Sequence, residues 1–431
     1  MIIGRNTSGT HGFGAIIASY WVQLALIVTL AIIAPAIVLY PNTLPGTAGF
    51  RPLVNSIIGA VVAAIGGLFF IRRVTAYPGV RTFGFVLPTF AATYAIVVTI
   101  FFSLRIDYGR LYFGASFLVS ILITYLASHM VDQYIVPTFY VVPFGHTNDL
   151  LQIGRVNWIV LQTPSAPCPP RSAIVADLRH DFDPAWERML AEAALRGHPV
   201  YHSKQLGESL TGRVSISHLS ENSFGSLLPN LGYRNVKRLV DFVGALLLLP
   251  VLVLPIALIA LLIRLDSPGG AFFRQRRIGF RGQEFSMIKF RTMHARSGAM
   301  DAQAARRDAM TELDDARVTR VGRFLRRTRM DELPQVFNVL RGEMSFIGPR
   351  PEAVALSNWY QEELAFYLYR HIVRPGITGW AQVNQGHVTD IDSVSQKLNY
   401  DFFYIKNFSS WLDILIVLKT IHTIITGFGS K

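Results

Sequence analysis

Residues Leu239–Ile263 read LVDFVGALLLLPVLVLPIALIALLI, and Asp241 is the only charge in the run. The plain reading is a membrane-spanning helix, since the run exceeds the roughly 20 apolar residues a bilayer requires. Three features favour a helix that enters the membrane and returns. Pro250 and Pro255 stand in the middle, where proline removes backbone hydrogen bonds and bends a helix. Arg234, Lys237 and Arg238 precede the run, while Arg264, Arg274, Arg276 and Arg277 follow it, so both flanks carry the positive charge of a cytoplasmic side. A spanning helix would also carry the carboxylate pair Asp331-Glu332 across the membrane, away from any cytoplasmic nucleotide. The expectation is a re-entrant helix over 236–264, broken at Pro250 and Pro255.

Four earlier stretches are long and uncharged: Ala15–Tyr40, Leu53–Ile71, Phe83–Leu104 and Leu111–Met130. Each is long enough to span a bilayer, which predicts a four-helix transmembrane region over 1–130. Arg72, Arg73 and Arg81 mark the loop between the second and third as cytoplasmic, placing the N-terminus and everything after His129 on that side. The composition agrees, with 51% hydrophobic and 16% charged residues and a mean hydropathy of +0.34. A net charge of +13 suits anionic lipid head groups and phosphorylated ligands. No nucleic-acid motif accompanies it, so nucleic acid is not expected as a partner. The lone Cys168 excludes an intramolecular disulfide and a cysteine-rich metal site.

Over 131–226 the pattern changes. Trp158–Gln162, Ala173–Asp177 and Pro199–His202 read as short strands, and Trp186–Arg196 as a helix ended by Gly197. This alternation predicts a small Rossmann-like α/β domain. It lacks a G-x-G-x-x-G fingerprint, so it is assigned no nucleotide. Leu227–Tyr233 reads as a linker into a mainly α domain over 227–431. There Ala271–Gln275 and Gln283–Phe290 form a hairpin around Gly279-Phe280-Arg281-Gly282, and Gly348–Pro351 and Pro375–Gly379 read as turns. Trp359–Val373 and Trp411–Phe428 read as helices, facing either the core or the membrane interface.

The chemistry concentrates around Asp331-Glu332-Leu333-Pro334-Gln335. Pro334 suits a helical first turn, which puts both carboxylates near a helix N-terminus, where the dipole favours anions. Adjacent helical residues point about 100° apart, so the two cannot form a symmetric dyad. One serves as nucleophile, the other as base or metal ligand. Capping alone would explain an isolated Asp-Glu pair. The setting points further: Arg320, Arg323, Arg326, Arg327 and Arg329 crowd before it, Lys289 and Arg291 form a second basic cluster, and Arg350 is held between Pro349 and Pro351. Guanidinium forks match phosphate oxygens. With no Ser-His or Cys-His arrangement present, these residues indicate phosphoryl transfer. Zinc-ligand spacing is absent, whereas magnesium needs only one or two carboxylates plus substrate phosphates.

The stretch from Tyr233 to Gly427 resembles the bacterial sugar transferases, that is, monotopic polyprenyl-phosphate hexose-1-phosphate transferases. The resemblance is carried by Lys237-Arg238 with Asp241, Ser267-Pro268-Gly269, Phe272-Phe273-Arg274-Gln275, Lys289–Met293, Asp331–Gln335, Met344–Glu352, Arg374–Asn384 and Asp401–Asn407. The N-terminal spans and the Rossmann-like domain are similar in architecture to the long form of that family. The resemblance implies that Asp331 attacks the sugar-bearing phosphorus of a UDP-sugar and expels UMP. Undecaprenyl phosphate then takes the phosphosugar, with Glu332 assisting and Mg2+ held by Asp331 and Glu332. It also implies substrate-side positions at Lys289, Arg291, Arg326, Arg350, Gln382, Asn384 and Asp401. UDP-glucose and UDP-galactose are the donors expected first, with N-acetylated sugars behind them.

Two departures stand out. Leu249 occupies the position where the family often has serine before the helix-breaking proline, and Val383-Asn384-Gln385-Gly386 replaces Val-Asn-Gly. The implied setting is the cytoplasmic face of a bacterial inner membrane, at the first membrane step of exopolysaccharide, capsule or O-antigen synthesis, with a second copy of the chain as expected homodimer partner. The competing reading from another class is a non-catalytic membrane scaffold of a polysaccharide assembly complex.

Overall fold

A computed structural model describes residues 19–426 apart from 48, 75–82, 135–137, 155, 166–168, 170–171, 217–228, 230, 295–316 and 386–389. Cys168, Arg81, Gly386 and part of the expected linker lie outside the described residues. The chain divides into two compact units, Met1–Gly212 and Arg213–Lys431.

The first unit opens with four apolar helices: α1 (Tyr20–Leu39), α2 (Phe50–Val74), α3 (Phe83–Ser103) and α4 (Arg110–Tyr134). Ile27, Ala60, Leu68, Phe90 and Tyr112 are buried between them. The small residues Ala60, Ala63 and Ala64 let α2 approach its neighbours closely. Two buried tyrosines of this apolar bundle find partners inside it: the Tyr94 hydroxyl pairs with Ser116 at 2.9 Å, and the Tyr112 hydroxyl donates to the Ile32 carbonyl at 2.9 Å. The outward faces stay apolar, with Ile58, Val62, Ile96 and Leu118 exposed. These four helices and one later helix are long and apolar enough to cross a membrane.

The same unit holds a four-stranded parallel sheet in the order β2-β1-β3-β4. Its strands are β1 (Thr138–Val141), β2 (Asn157–Val160), β3 (Ala173–Ala176) and β4 (Val200–His202), with helices α5 (Asn148–Leu151), α6 (Pro184–Leu195) and α7 (Ser203–Thr211). The sequence reading omits β1, α5 and α7. It places the other elements within two residues of where they stand. β3 is central and wholly buried, so it reads as a continuous apolar run.

The second unit begins with α8 (Leu231–Asp266), which runs through Pro250 and Pro255 as one helix, so the break expected at those prolines does not interrupt it. One stripe of it faces protein along its length: Lys237, Asp241, Ala245, Ile256, Ile259 and Ile263 are buried. Spacings of three and four residues put these on a single face. Leu249 and Leu252 lie along the same stripe, packed against the buried cluster of Ala245, Met287, Val336, Val339 and Met344. The opposite face, including Leu239, Val243, Leu247, Val251, Leu254, Leu258 and Leu262, is exposed and apolar. Both ends are fastened to the same unit. Arg238 donates to the carbonyls of Val339 at 2.7 Å and Leu340 at 3.1 Å, and Asp266 accepts from the backbone N–H of Val321 at 3.3 Å.

The hairpin β5 (Phe272–Ile278) and β6 (Glu284–Phe290) follows, then α9 (Arg320–Arg327), a 3-10 segment Met330–Gln335, and α10 (Val336–Arg341). Two further strands, β7 (Ser345–Ile347) and β8 (Gly376–Thr378), pair in parallel. The helices α11 (Val354–Glu363), α12 (Trp380–Gln385), α13 (Ile391–Lys406) and α14 (Ser410–Thr426) complete the unit. Two expectations are corrected here. Pro375–Gly379 is not a plain turn, because Gly376–Thr378 pairs with β7. Trp359–Val373 is not one helix either. It breaks after Glu363, where Phe366 takes a left-handed φ of 62°, and resumes as a 3-10 segment Tyr367–Ile372.

Candidate active site

The carboxylate pair sits in a tight 3-10 turn and not in the first turn of an α-helix. Arg329 enters it with φ 59° and ψ 15°, a left-handed conformation that non-glycine residues adopt at a cost. With three residues per 3-10 turn, Asp331 and Glu332 diverge by about 120°. α9 is seated by Gly322, where an added Cβ would lie 2.1 Å from the Thr292 carbonyl oxygen, so glycine alone permits this approach.

Three basic side chains converge on one oxygen of Glu332. Oε1 accepts from Arg350 at 2.9 Å and from Lys289 at 3.4 Å, and Arg329 stands 4.0 Å away. Glu332 is buried, at 8% exposure. Burial alone would raise its pKa, but Arg350 and Lys289 overcome that and hold the carboxyl well below the usual range. Asp331 is pushed the other way, first by burial and then by the charge of Glu332 beside it. Among the described residues none hydrogen-bonds the Asp331 carboxylate. Adjacent acids therefore have opposed environments, one neutralised by cations and one left available and more basic than an ordinary aspartate. Lys289 pays for the cluster by desolvation, its pKa pulled down to about 8.

Arg350 is positioned by its backbone. The carbonyl of Arg350 accepts from the Arg370 guanidinium at 2.9 Å, and the next carbonyl, Pro351, accepts from Arg277 at 2.6 Å. Arg370 also binds the Asp401 carboxylate at 2.8 and 3.1 Å and the Tyr367 hydroxyl at 3.1 Å. Gly348, just upstream, has no room for a side chain, since a Cβ would lie 2.3 Å from the Arg374 carbonyl oxygen. A cavity of about 390 Å³ opens beside Glu332, Arg329 and Arg350, walled by Leu252, Leu333 and Ile377 among others.

Over 379 residues the chain is 44% identical to a UDP-N-acetylgalactosamine-undecaprenyl-phosphate N-acetylgalactosaminephosphotransferase of Aeromonas hydrophila, covering 88% of each. Residues 232–427 match the family model described as bacterial sugar transferase. The chain belongs to the bacterial sugar transferase family. It is accordingly a transferase, which displaces the scaffold reading. Two further relatives match just under half of the chain. A UDP-glucose:undecaprenyl-phosphate glucose-1-phosphate transferase of Caulobacter vibrioides is 43% identical over 204 residues, 47% of this chain and 74% of that protein. One of the same name from Escherichia coli K12 is 42% identical over 200 residues, 46% of this chain and 41% of that protein.

Within this sugar transferase the expected residues separate by position. Lys289, Arg350, Asp331 and Glu332 come together. Arg291 does not join them: it clips the loop after α8, donating to Ser267 and Pro268 carbonyls at 2.7 and 2.6 Å. Arg326 donates to the Thr292 hydroxyl and the Met293 sulfur at the end of β6. Asp401 is one step removed, paired to Arg370 behind Arg350. Gln382 borders the cavity, whereas Asn384 accepts from Lys419, which lies over the Trp380 ring at 4.5 Å. The sequence reading missed Arg277, Glu352 and Arg370.

No group of three or more His, Cys, Asp or Glu side chains among the described residues is arranged to hold a metal. The hard oxygens of Asp331 and Glu332 do suit magnesium shared with a diphosphate. All three cations meet Oε1 of Glu332, and no described residue hydrogen-bonds Oε2.

Proposed function

We propose that the protein transfers a sugar-1-phosphate from a UDP-sugar to undecaprenyl phosphate, through a covalent phosphosugar on Asp331. The observation that carries this is the split pair: Asp331 unpaired and made more basic, Glu332 charged and locked to Arg350 and Lys289. In the first step an Asp331 oxygen bonds to the sugar-bearing phosphorus. The bond from that phosphorus to the bridging oxygen breaks, and UMP leaves with the electron pair. In the second step an oxygen of the acceptor phosphate bonds to the same phosphorus and the Asp331 carboxylate departs, leaving a diphosphate-linked sugar. Splitting the transfer this way replaces one encounter of three anions with two simpler ones.

Lys289, Arg350 and Arg329 offset the charge that builds on the transferred group. Glu332 fixes the first two of these cations in place. Asp331 and Glu332 are the residues that would hold magnesium, which would supply neutralising charge at the donor diphosphate.

The re-entrant reading of α8 rests on its two faces. A helix that meets its own catalytic unit from Lys237 to Ile263 and shows an unbroken apolar face outward is built to lie half in lipid. In this reading the site lies at the cytoplasmic surface of the inner membrane, within reach of a soluble nucleotide and an embedded lipid. The relative that matches across both units takes its name from N-acetylgalactosamine, so UDP-N-acetylgalactosamine is the first donor to test, ahead of UDP-glucose and UDP-galactose. The product fits the first membrane step of a surface polysaccharide.

The test is UMP release by purified protein in nanodiscs with magnesium, undecaprenyl phosphate and each donor in turn. Release with one donor, lost in Asp331→Asn, supports the reading. Release retained in Asp331→Asn would remove the covalent step, and no release with any donor from folded protein would remove the proposed reaction.

A further inference from the structure

A second, small pocket lies at the N-terminal end of α8, lined by Arg234, Lys237, Arg238, Asp241, Phe280 and Arg374 among others. It shares no lining residue with the cavity beside Glu332. Its two inner guanidiniums are held by the end of α10. Arg238 donates to the Val339 and Leu340 carbonyls, and Arg374 donates to the Gly342 carbonyl at 3.0 Å. Gly342 has a φ of 81°, and a Cβ there would lie 2.9 Å from the Arg238 guanidinium, so glycine admits that side chain. Arg374 and Arg281 both lie over the Phe280 ring, 5.0 and 5.1 Å from its centroid.

These contacts supply no countercharge. The acceptors of Arg238 and Arg374 are neutral carbonyls. Lys237 is matched by Asp413 at 2.7 Å. Around Arg374, by contrast, stand the cations Arg238, Arg234 and Arg281, with Asp241 as the acid. Burial first, and then Arg238, pull the Arg374 pKa below the usual arginine range, yet arginine stays charged at any working pH. Like charges crowded half out of water are costly unless an anion joins them. Size and position define that anion. The pocket measures about 10 Å³, room for roughly one water-sized atom, so it takes an oxygen of an oxyanion while a base or a sugar stays outside. Leu239 and Val240, the next two residues of α8, are each 63% exposed and begin its apolar face. The basic pocket therefore stands at the level where α8 passes from head groups to acyl chains.

We propose that this pocket binds the head-group phosphate of an anionic phospholipid, with a phosphate oxygen between Arg234, Arg238 and Arg374 and the acyl chains along the apolar face of α8. Guanidinium forks match phosphate oxygens, and the bound head group fixes the depth at which α8 enters the membrane. The inference needs only that α8 enters lipid beyond Arg238, which holds whether the helix returns or spans. It is read by binding, without turnover, and so stands or falls apart from the proposed reaction.

The test uses the full chain, purified in detergent and stripped of lipid, and titrated with phosphatidylglycerol, with phosphatidylcholine and with inorganic phosphate. Bound lipid is counted by native mass spectrometry, and protection is read by thermal unfolding. Wild type should prefer phosphatidylglycerol to phosphatidylcholine by about tenfold or more in apparent affinity. Arg234 is half-buried and makes no hydrogen bond to a described residue, so its replacement leaves the fold intact. Arg234→Gln should weaken phosphatidylglycerol binding about tenfold, the worth of one charge-assisted hydrogen bond, and Arg234→Lys should recover part of that loss. Arg264→Gln removes an exposed charge from the other end of α8 and should leave binding unchanged. Equal retention of the two lipids by wild type, or equal losses in Arg264→Gln and Arg234→Gln, would reduce the attraction to diffuse surface charge and overturn the site. Protection by millimolar inorganic phosphate as strong as that by phosphatidylglycerol would make the ligand a free phosphate and overturn the lipid assignment.

Discussion

Lys289 should set an alkaline limit on activity. Its ammonium is buried against Glu332 with a side-chain exposure of 15%, and desolvation, opposed by Glu332, leaves its pKa at about 8 in place of 10.5. That shift corresponds to about 3 kcal/mol against the charged form. Below pH 8 the lysine is charged and can offset the phosphoryl group, and above it the charge is lost. The donor kcat/KM, which follows the free enzyme, should fall to about half its plateau near pH 8 and to about a tenth near pH 9. Arginine stays charged throughout this range. In Lys289→Arg the alkaline limb should therefore vanish, even if the plateau drops because the longer fork sits less well. The assay is UMP release at subsaturating donor and saturating acceptor from pH 6 to 10. A wild-type profile that stays flat to pH 9.5, or a limb that persists unchanged in Lys289→Arg, would refute the assignment.

Three further outcomes follow from other parts of the fold. Arg370→Met leaves the Asp401 carboxylate, 2% exposed, without its partner. It should cost about 3–5 kcal/mol, most of it recovered when Asp401→Leu is added, as read by thermal unfolding in detergent. Gly322→Ala forces a methyl group onto the Thr292 carbonyl. It should destabilise by about 1–3 kcal/mol, lowering the Tm by several degrees, and an unchanged Tm would contradict the close approach. A cysteine placed at Gly270 in a Cys168→Ser background should react with an impermeant maleimide only after cells are opened, whereas labelling of intact spheroplasts would make α8 a spanning helix.

The parts of the site that were legible in the sequence are those that carry their own local signal. Asp331-Glu332 follow an arginine-dense run, Lys289 ends an apolar strand and Arg350 stands between two prolines, and these four converge. The turn itself was misread. Pro334 signals a helical start, but only the left-handed Arg329 makes that start a 3-10 turn, and arginine carries no local preference for that conformation. Phe366 hid the break after α11 for the same reason. The Arg277 and Arg370 supports were illegible because their partners are remote: Arg370 meets Asp401 31 residues away and Arg277 meets Pro351 74 residues away. Likewise β8 looked like a turn because its pairing with β7 depends on a strand some thirty residues earlier. The apolar stretches were plain from composition. Which face of α8 meets protein was written in the three- and four-residue spacing of Lys237, Asp241 and Ala245, and it becomes readable once the partners are known.

The central claim is that Asp331 becomes covalently bonded to the phosphosugar. It is met most directly by incubating the protein with magnesium and UDP-N-acetylgalactosamine in the absence of any acceptor, quenching in acid, and measuring the mass of the peptide that contains Asp331. The account predicts a mass increase of one N-acetylhexosamine phosphate on that peptide, absent in Asp331→Asn and lost when undecaprenyl phosphate is added before the quench. An unmodified peptide from enzyme that turns over fully when the acceptor is present would contradict it.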